Sequence, residues 1–126
     1  MIEITLQGQP RTKKNSGQII RAGGKRMLIP SKAYREYEAD CLRQLLFETP
    51  YNIDSPVNMR CLYYMGTRRK VDLVNLLEAT CDILCKALII ADDHCGVVAG
   101  HDGSRVLYDK QHPRVEITIT DMEGGT

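Results

Sequence analysis

The stretch from Arg68 to Asp93, RRKVDLVNLLEATCDILCKALIIADD, decides the fold and frames the candidate site. It opens with three consecutive cations, closes with two consecutive aspartates, and is strongly periodic between them. With Asp72 as the origin of a helical wheel at about 100° per residue, the apolar side chains fall between about 20° and 200°. The polar side chains form a narrow stripe at about 240° to 320°: Asn75, Glu78, Asp82 and Lys86. The pattern predicts a helix over about 72–87 with one broad buried face.

Carboxylates stand at both ends of this predicted helix, with Asp72 at its start and Asp92 and Asp93 after its last apolar run. Hard divalent cations such as Mg²⁺ take oxygen ligands, usually one or two carboxylates, and leave positions for water and substrate phosphate. The cationic run 68–70 would hold the backbone of a nucleic acid beside them. Asp72 also has a purely structural interpretation, because aspartate before a helix is a common N-cap.

The segment resembles the RusA-type Holliday junction resolvases, which are small dimeric Mg²⁺-dependent DNA endonucleases. Their pattern is a basic run, then D-x-D-N with a lysine further along the helix, then an aspartate, then a D-D pair before a strand. Here the run reads Asp72-Leu73-Val74-Asn75, followed by Glu78, Asp82, Asp92 and Asp93. Val74 stands where the family has its second aspartate, and Glu78 stands where it has lysine. The motif covers the central third of the chain, and the order of elements matches over most of it.

The resemblance implies an endonuclease that cuts Holliday junctions or other branched DNA, in recombination and repair, by metal-dependent phosphodiester hydrolysis. It implies Mg²⁺, with Mn²⁺ as an alternative, and a homodimer, which suits a junction with two symmetric strands to cut. The candidate metal ligands are carboxylates: Asp72, Asp92, Asp93 and Glu78. Asn75 joins the catalytic set by orienting a carboxylate or a water. The candidate DNA-binding residues are cations: Arg11, Lys13, Lys14, Arg21, Lys25, Arg26, Arg68, Arg69 and Lys70.

Glu78 is expected to compensate for the acid that is missing at Val74. It lies one helical turn further along, roughly 6 Å, on nearly the same face. Its Cα–Cβ bond tilts toward the helix N-terminus, so its carboxylate could reach back toward Asp72. The alternative is a catalytically inactive, structure-specific DNA-binding protein of the same fold. A third possibility is an unrelated α+β interaction module, in which the carboxylates are helix caps and solvated residues, and Asp82 and Lys86 form an i,i+4 ion pair.

The formal net charge of +1 conceals a one-sided N-terminal segment. Between Pro10 and Arg35 the chain has eight cations and no acidic residue. Such a segment is a candidate polyanion-binding arm. Residues 11–30 are predicted to be a flexible basic loop in the absence of DNA, with Gly23-Gly24 favouring a loose hairpin.

The 126 residues form a single predicted domain, 1–126, of α+β class, with two helices packed on a mixed sheet. The predicted elements are strands over 2–6, 57–64, 95–100, 104–108 and 114–120 and helices over 32–47 and 72–87. The last two strands are expected to pair around the turn 109–113, to which we assign no role.

Several function classes find no support in the sequence. No apolar run approaches a membrane span, and the N-terminus lacks the features of a signal peptide, so we expect a cytoplasmic protein. The five cysteines are scattered, which favours small buried thiols in a reducing compartment over a zinc site. No GxSxG, P-loop, GxGxxG or HExxH motif occurs.

Overall fold

The computed structural model describes residues 1–13 and 18–122. These residues form two helices and seven strands: β1 (Ile2–Gln7), β2 (Gln18–Ala22), β3 (Lys25–Ile29), α1 (Lys32–Leu45), β4 (Val57–Met65), α2 (Leu73–Lys86), β5 (Val98–Gly100), β6 (Arg105–Tyr108) and β7 (Arg114–Asp121). The predicted α+β class, with two helices and a mixed sheet, is confirmed.

The main sheet has the strand order β1-β7-β4-β5, and β6 also pairs with β4. Strands β1, β7 and β4 are antiparallel to their neighbours in this series, whereas β5 and β6 run parallel to β4. The longest pairing joins β4 to β7, from Val57↔Asp121 to Tyr64↔Arg114. These two strands form the centre on which the rest of the fold is built.

The core lies on one face of this sheet, because side chains alternate between the two faces of a strand. Every second residue of β4 is buried, and the residues between them are half-buried or exposed. The same alternation on β7 buries Val115, Ile117 and Ile119. Helix α2 adds its apolar side to the same cluster, so the domain has one sheet layer and one helix layer.

A buried polar link joins α2 to the sheet. Thr80 donates a hydrogen bond to the Leu76 carbonyl at 3.0 Å, so its hydroxyl oxygen accepts from the Tyr63 hydroxyl at 2.7 Å. Tyr63 and Thr80 are 0% and 3% exposed. Each hydroxyl therefore satisfies the other in a place that water does not reach.

The predicted pairing of the last two strands with each other is wrong. β6 pairs with β4, from Leu62↔Arg105 to Met65↔Tyr108, while β7 lies on the other side of β4. Both edges of β7 are occupied by β1 and β4. These strands carry alternating buried residues, whereas β6 is largely exposed and would bury less surface against β7. The turn 109–113 consequently crosses the end of β4.

The boundaries of β5 and α1 each differ from the prediction at one end. β5 begins at Val98 rather than at Cys95, because the amides of Val97 and Val98 both donate to the His94 carbonyl at 2.9 Å and form a turn. α1 ends at Leu45, and it begins after Ser31, whose hydroxyl accepts from the Tyr34 amide at 3.1 Å.

The hairpin in the basic segment is confirmed. β2 and β3 pair from Gln18↔Ile29 to Ala22↔Lys25 and form a separate two-stranded sheet. The chain turns at Gly23 and Gly24, whose φ angles of 57° and 78° suit glycine and a two-residue hairpin turn. The flexibility of residues 11–30 stays a prediction, and residues 14–17 lie outside the described part. Within that part, no helix has both the length and the apolar character needed to cross a membrane.

Candidate functional site

Asp72 is the N-cap of α2. Its Oδ1 accepts a hydrogen bond of 2.9 Å from the Val74 amide, one of the amides at a helix start that lack an intrahelical partner. The side chain is exposed, and the positive end of the helix dipole favours its negative charge. The predicted cap is confirmed, and it leaves carboxylate lone pairs available to a ligand.

The acidic pair Asp92-Asp93 emerges from a firmly anchored segment. Two hydrogen bonds close the end of α2, from the Leu88 amide to the Cys85 carbonyl and from the Ile89 amide to the Leu84 carbonyl, at 3.1 and 2.9 Å. Leu88 adopts the left-handed conformation with φ of 61° that this closure requires. The two residues that follow, Ile89 and Ile90, are completely buried. Their burial fixes the point at which the chain returns to the surface, where Asp92 and Asp93 are exposed.

Asp92 is held in its ionised form. Its Oδ1 accepts a hydrogen bond of 2.7 Å from the Asp93 amide. That hydrogen bond, together with the nearby His94, lowers the pKa of the Asp92 carboxyl below its ordinary value. Nε2 of His94 lies 3.9 Å from the Asp92 carboxylate. An ionised, exposed carboxylate of this kind suits a hard cation.

Asp72 and the acidic pair lie before and after α2 in the sequence. α2 spans 14 residues, which corresponds to about 21 Å, with Asp72 before its start and Asp92 beyond its end. In the described ranges 1–13 and 18–122, no group of three His, Cys, Asp or Glu side chains is placed to hold a metal ion. The predicted ligand set is therefore not gathered within a single copy, and its assignment stays a prediction.

The polar stripe of α2 faces α1 and the start of the basic arm. Asp82 pairs with Lys13, and Lys86 pairs with Glu38 of α1 at 2.9 Å. The i,i+4 pair of Asp82 with Lys86 is therefore wrong, because each residue finds an opposite charge on another element. Asn75, at the first turn, is half-buried.

Glu78 lies on this stripe and is exposed. It is six residues beyond Asp72, about 9 Å along the helix axis. Burial raises the pKa of Tyr34 in α1, and the charges of Glu38 and Glu78 add to that rise. Glu78 therefore lies within electrostatic range of Tyr34, and its role as a compensating ligand stays a prediction.

A cleft of about 950 Å³ opens beside Asp72. Its lining includes the cations Arg11, Arg69, Lys70 and Lys110. Asp72 lies at the same cleft, so a carboxylate at a helix N-terminus shares a space with four positive charges. An arrangement of this kind can bind a phosphate chain and present it to the carboxylate.

Sequence reasoning missed Lys110. The sequence of the turn 109–113 indicates no function, because no periodic signal distinguishes a lysine there from any solvated lysine. The signal that would have found it is structural, since the turn crosses the end of β4 and thereby reaches the cleft.

The three cations before Asp72 do not act as one cluster. Arg69 and Lys70 line the cleft, whereas the Arg68 guanidinium stacks 3.9 Å from the centre of the Tyr108 ring, beside β6. Arg68 therefore lies toward the neighbouring, smaller depression that also includes Val106.

The basic arm divides into two parts. Arg11 lines the cleft, and Lys13 is held by Asp82, while Lys14 lies outside the described residues. The hairpin carries three exposed cations: Arg21, Lys25 and Arg26. Arg21 and Arg26 are directly opposite in the register, and like charges in that relation repel. An anionic partner would relieve the repulsion.

The cysteines are mostly inside the protein. Burial raises the pKa of Cys41 to about 11 and those of Cys61 and Cys81 to about 12, so these thiols stay protonated at neutral pH. Cys85 is half-buried and Cys95 is exposed.

Comparison with known protein families gives a match over most of the chain. The family model described as Endodeoxyribonuclease RusA matches residues 2–120 of the 126-residue chain. No curated protein sequence matches the chain. The match extends from the start of β1 to Thr120, one residue before the end of β7, and it includes the whole of α2.

Proposed function

The chain belongs to the RusA endodeoxyribonuclease family, and from that premise we propose that it is a metal-dependent nuclease that resolves Holliday junctions or related branched DNA. The observation that carries the proposal is the cleft in which Arg11, Arg69 and Lys70 surround the start of α2 with Asp72 at its edge. A polyanion drawn into this cleft brings its backbone to a carboxylate that would serve the hydrolysis.

The DNA-binding surface would extend beyond the cleft. The hairpin would hold phosphates with its exposed Arg21, Lys25 and Arg26, and a two-stranded ribbon of this size can enter a DNA groove. Lys13 would exchange Asp82 for phosphate when DNA arrives.

The donor chemistry fits a hard divalent cation. Asp72, Asp92 and Asp93 are exposed carboxylates, and oxygen ligands of this type suit Mg²⁺ or Mn²⁺. Glu78 would add a fourth carboxylate, and Asn75 would orient one of them. When bound, the metal supplies a hydrolytic nucleophile at neutral pH and neutralises charge on the leaving oxygen.

A homodimer would gather the ligands that one copy keeps apart. The outer side of α2 carries Val74 and, just past its end, Leu88, which are 67% and 57% exposed. Leu77 and Cys85 between them are half-buried, and Val74, Leu77 and Cys85 lie within about 80° on the helical wheel. An apolar stripe from one acidic end of the helix to the other suits burial against a second copy.

Two-fold symmetry decides what such a contact would do. If two α2 helices pack antiparallel across a two-fold axis, the start of one lies beside the end of the other. Asp72 of one copy would then meet Asp92 and Asp93 of the second, twice per dimer. Two equivalent sites would suit a junction, which presents two symmetric strands.

The alternative is a catalytically inactive DNA-binding protein of the same fold. The observation that favours it is Val74, an exposed apolar residue at the position of the family's second aspartate. Cleavage of a synthetic four-way junction with Mg²⁺, and its loss with EDTA, would support the nuclease. Salt-sensitive junction binding without cleavage under either condition would support the alternative.

Mixing two inactive variants tests the composite site. Asp72→Asn and Asp92→Asn homodimers should both be inactive. In a mixture with free exchange of subunits, each heterodimer would regain one intact site, and about one quarter of the sites would be restored. If the mixture is shown to contain heterodimers but regains no nicking, Asp72 and Asp92 act within the same copy and the composite site is refuted.

A further inference from the structure

Lys110 has no role in the reaction as proposed so far. It lies in the turn 109–113 between β6 and β7, and it lines the cleft together with Arg69 and Lys70. The side chain is exposed. In the part of the chain that the structure describes, no carboxylate pairs with it. A cation in a cleft without an acidic partner is available to an anionic ligand.

Both ends of this turn are fixed to the sheet. The Asp109 amide donates to the Met65 carbonyl at 2.9 Å, and the Gly8 amide donates to the Pro113 carbonyl at 3.0 Å. Gly66 packs so closely that a Cβ there would lie 2.9 Å from Cγ of Pro113. The turn is therefore anchored to the ends of both β1 and β4.

Arg114 secures the turn from within. Its guanidinium pairs with Asp109 at 2.9 Å and with Glu116 at 2.8 Å, and it donates to the His112 carbonyl at 2.9 Å. It also stacks 3.9 Å from the centre of the Tyr64 ring. The Arg114 side chain is only 20% exposed. Two carboxylates neutralise its charge, so Arg114 stabilises the turn and does not bind DNA.

Asp109 is the common partner in this arrangement. Its Oδ2 accepts a hydrogen bond from the Arg114 guanidinium, while its Oδ1 accepts hydrogen bonds from the amides of Gln111 and His112 at 3.1 and 3.2 Å. The hydrogen bond from Arg114 lowers the pKa of the Asp109 carboxyl, with the two amides adding to the effect. The carboxylate thus stays charged and fixes the backbone on both sides of Lys110.

We propose that Lys110 is a preorganised phosphate-binding residue of the cleft and that the Asp109–Arg114 pair is its positioning device. The partner is a phosphodiester strand that passes Asp72, so the inference rests on the proposed nuclease function and deepens it. Preorganisation favours binding because the turn is already ordered before DNA arrives. The cation-rich hairpin, by contrast, belongs to a separate two-stranded sheet.

The test is the salt dependence of junction binding by the full chain. Binding of a fluorescent four-way junction is followed by anisotropy in EDTA, which prevents cleavage, between 50 and 200 mM salt. Lys110→Ala should reduce the slope of log K against log salt by about 0.9, the contribution of one phosphate contact. Over that range its affinity deficit should shrink about 3.5-fold. Lys110→Arg should recover the slope.

Arg43→Ala is the matched control. Arg43 is also an exposed cation, but it lies in α1, pairs with Asp40 at 2.7 Å and is not part of the cleft. Its removal lowers the net charge by the same amount and should leave the slope unchanged. An equal loss of slope in Arg43→Ala and Lys110→Ala would reduce the effect to net charge and overturn the inference.

A double-mutant cycle tests the positioning device. Lys110→Ala should weaken binding less in an Asp109→Ala background than in the unmodified chain, because an unpositioned lysine contributes less. Thermal unfolding establishes that both backgrounds are folded at the assay temperature, and Asp109→Asn replaces Asp109→Ala if the latter is not. Additive effects would overturn the positioning role.

Two failures are distinguishable. If the unmodified chain binds the junction with salt-sensitive affinity and Lys110→Ala has the same slope, the Lys110 assignment is overturned and the nuclease proposal is untouched. If the unmodified chain shows no salt-sensitive junction binding, the proposed function is overturned and the Lys110 assignment with it.

Discussion

Substitution of Asp72 separates its role as a helix cap from its role in the site. Its Oδ1 accepts the Val74 amide at 2.9 Å. Asparagine keeps an acceptor oxygen there and removes only the charge, whereas alanine removes both. Loss of an N-cap side chain costs about 1 kcal/mol, and loss of negative charge at an exposed helix N-terminus costs about 0.3–1 kcal/mol.

These free energies convert into melting temperatures. For 126 residues, an unfolding entropy of about 0.26 kcal/mol/K makes 1 kcal/mol equivalent to about 4 °C. Asp72→Asn should therefore lower Tm by about 1–4 °C, and Asp72→Ala should lower it by about 5–8 °C. Circular dichroism at 222 nm follows both transitions.

The effect of Asp72→Asn on cleavage should be out of proportion to this small change in stability. Residues that only support metal ligands already change activity by about 10–100-fold, so a ligand should change it at least a hundredfold. The assay is Mg²⁺-dependent nicking of a four-way junction well below Tm. Asp54→Asn, an exposed aspartate outside the site, is the control. If Asp72→Asn cleaves within about threefold of the unmodified chain, Asp72 is a cap alone and the reasoning is refuted.

The remaining predictions concern the acidic pair, the altered family positions and the buried hydroxyls. Asp92→Asn should abolish cleavage but leave junction binding equal or tighter, because a negative charge beside phosphate is lost; normal turnover would contradict this. Glu78→Gln should reduce cleavage by orders of magnitude, whereas the double variant Val74→Asp, Glu78→Lys should preserve or raise cleavage. If Glu78→Gln cleaves as well as the unmodified chain, Glu78 is not a metal ligand and the site consists of the aspartates alone. Thr80→Val should cost about 1–3 kcal/mol in urea unfolding by leaving the Tyr63 hydroxyl unpaired, and adding Tyr63→Phe should recover part of this cost; additive costs would argue against the link.

Local patterns in the sequence predict the elements that carry the site. The helix over about 72–87 follows from its apolar spacing, and Asp72 caps this helix because the cap involves residues only two positions apart. Gly23-Gly24 predicts its turn for the same reason. The resemblance to the RusA family rests on a local motif as well, since the residues that carry it lie between 68 and 93, and the family match over residues 2–120 confirms it.

Contacts between residues that are distant along the chain do not follow from such local patterns. Sequence spacing places Asp82 four residues before Lys86, yet Asp82 pairs with Lys13 and Lys86 pairs with Glu38. A helical wheel defines which side of α2 is polar but does not identify the element that packs on that side. Spacing therefore finds the polar stripe and misassigns its ion pairs.

What the sequence alone determined is the content of the fold: its class, its helices and caps, its acidic ends and its basic arm. Only the tertiary structure decided that β6 joins β4, that the turn 109–113 reaches the cleft, and that the described residues of one copy do not gather Asp72 and the acidic pair into one metal site. The physical reason is the distance along the chain between the residues that interact. Caps, turns and periodicity depend on neighbours within one helical turn, whereas strand partners and cleft walls depend on which apolar faces, distant along the chain, bury the most surface together.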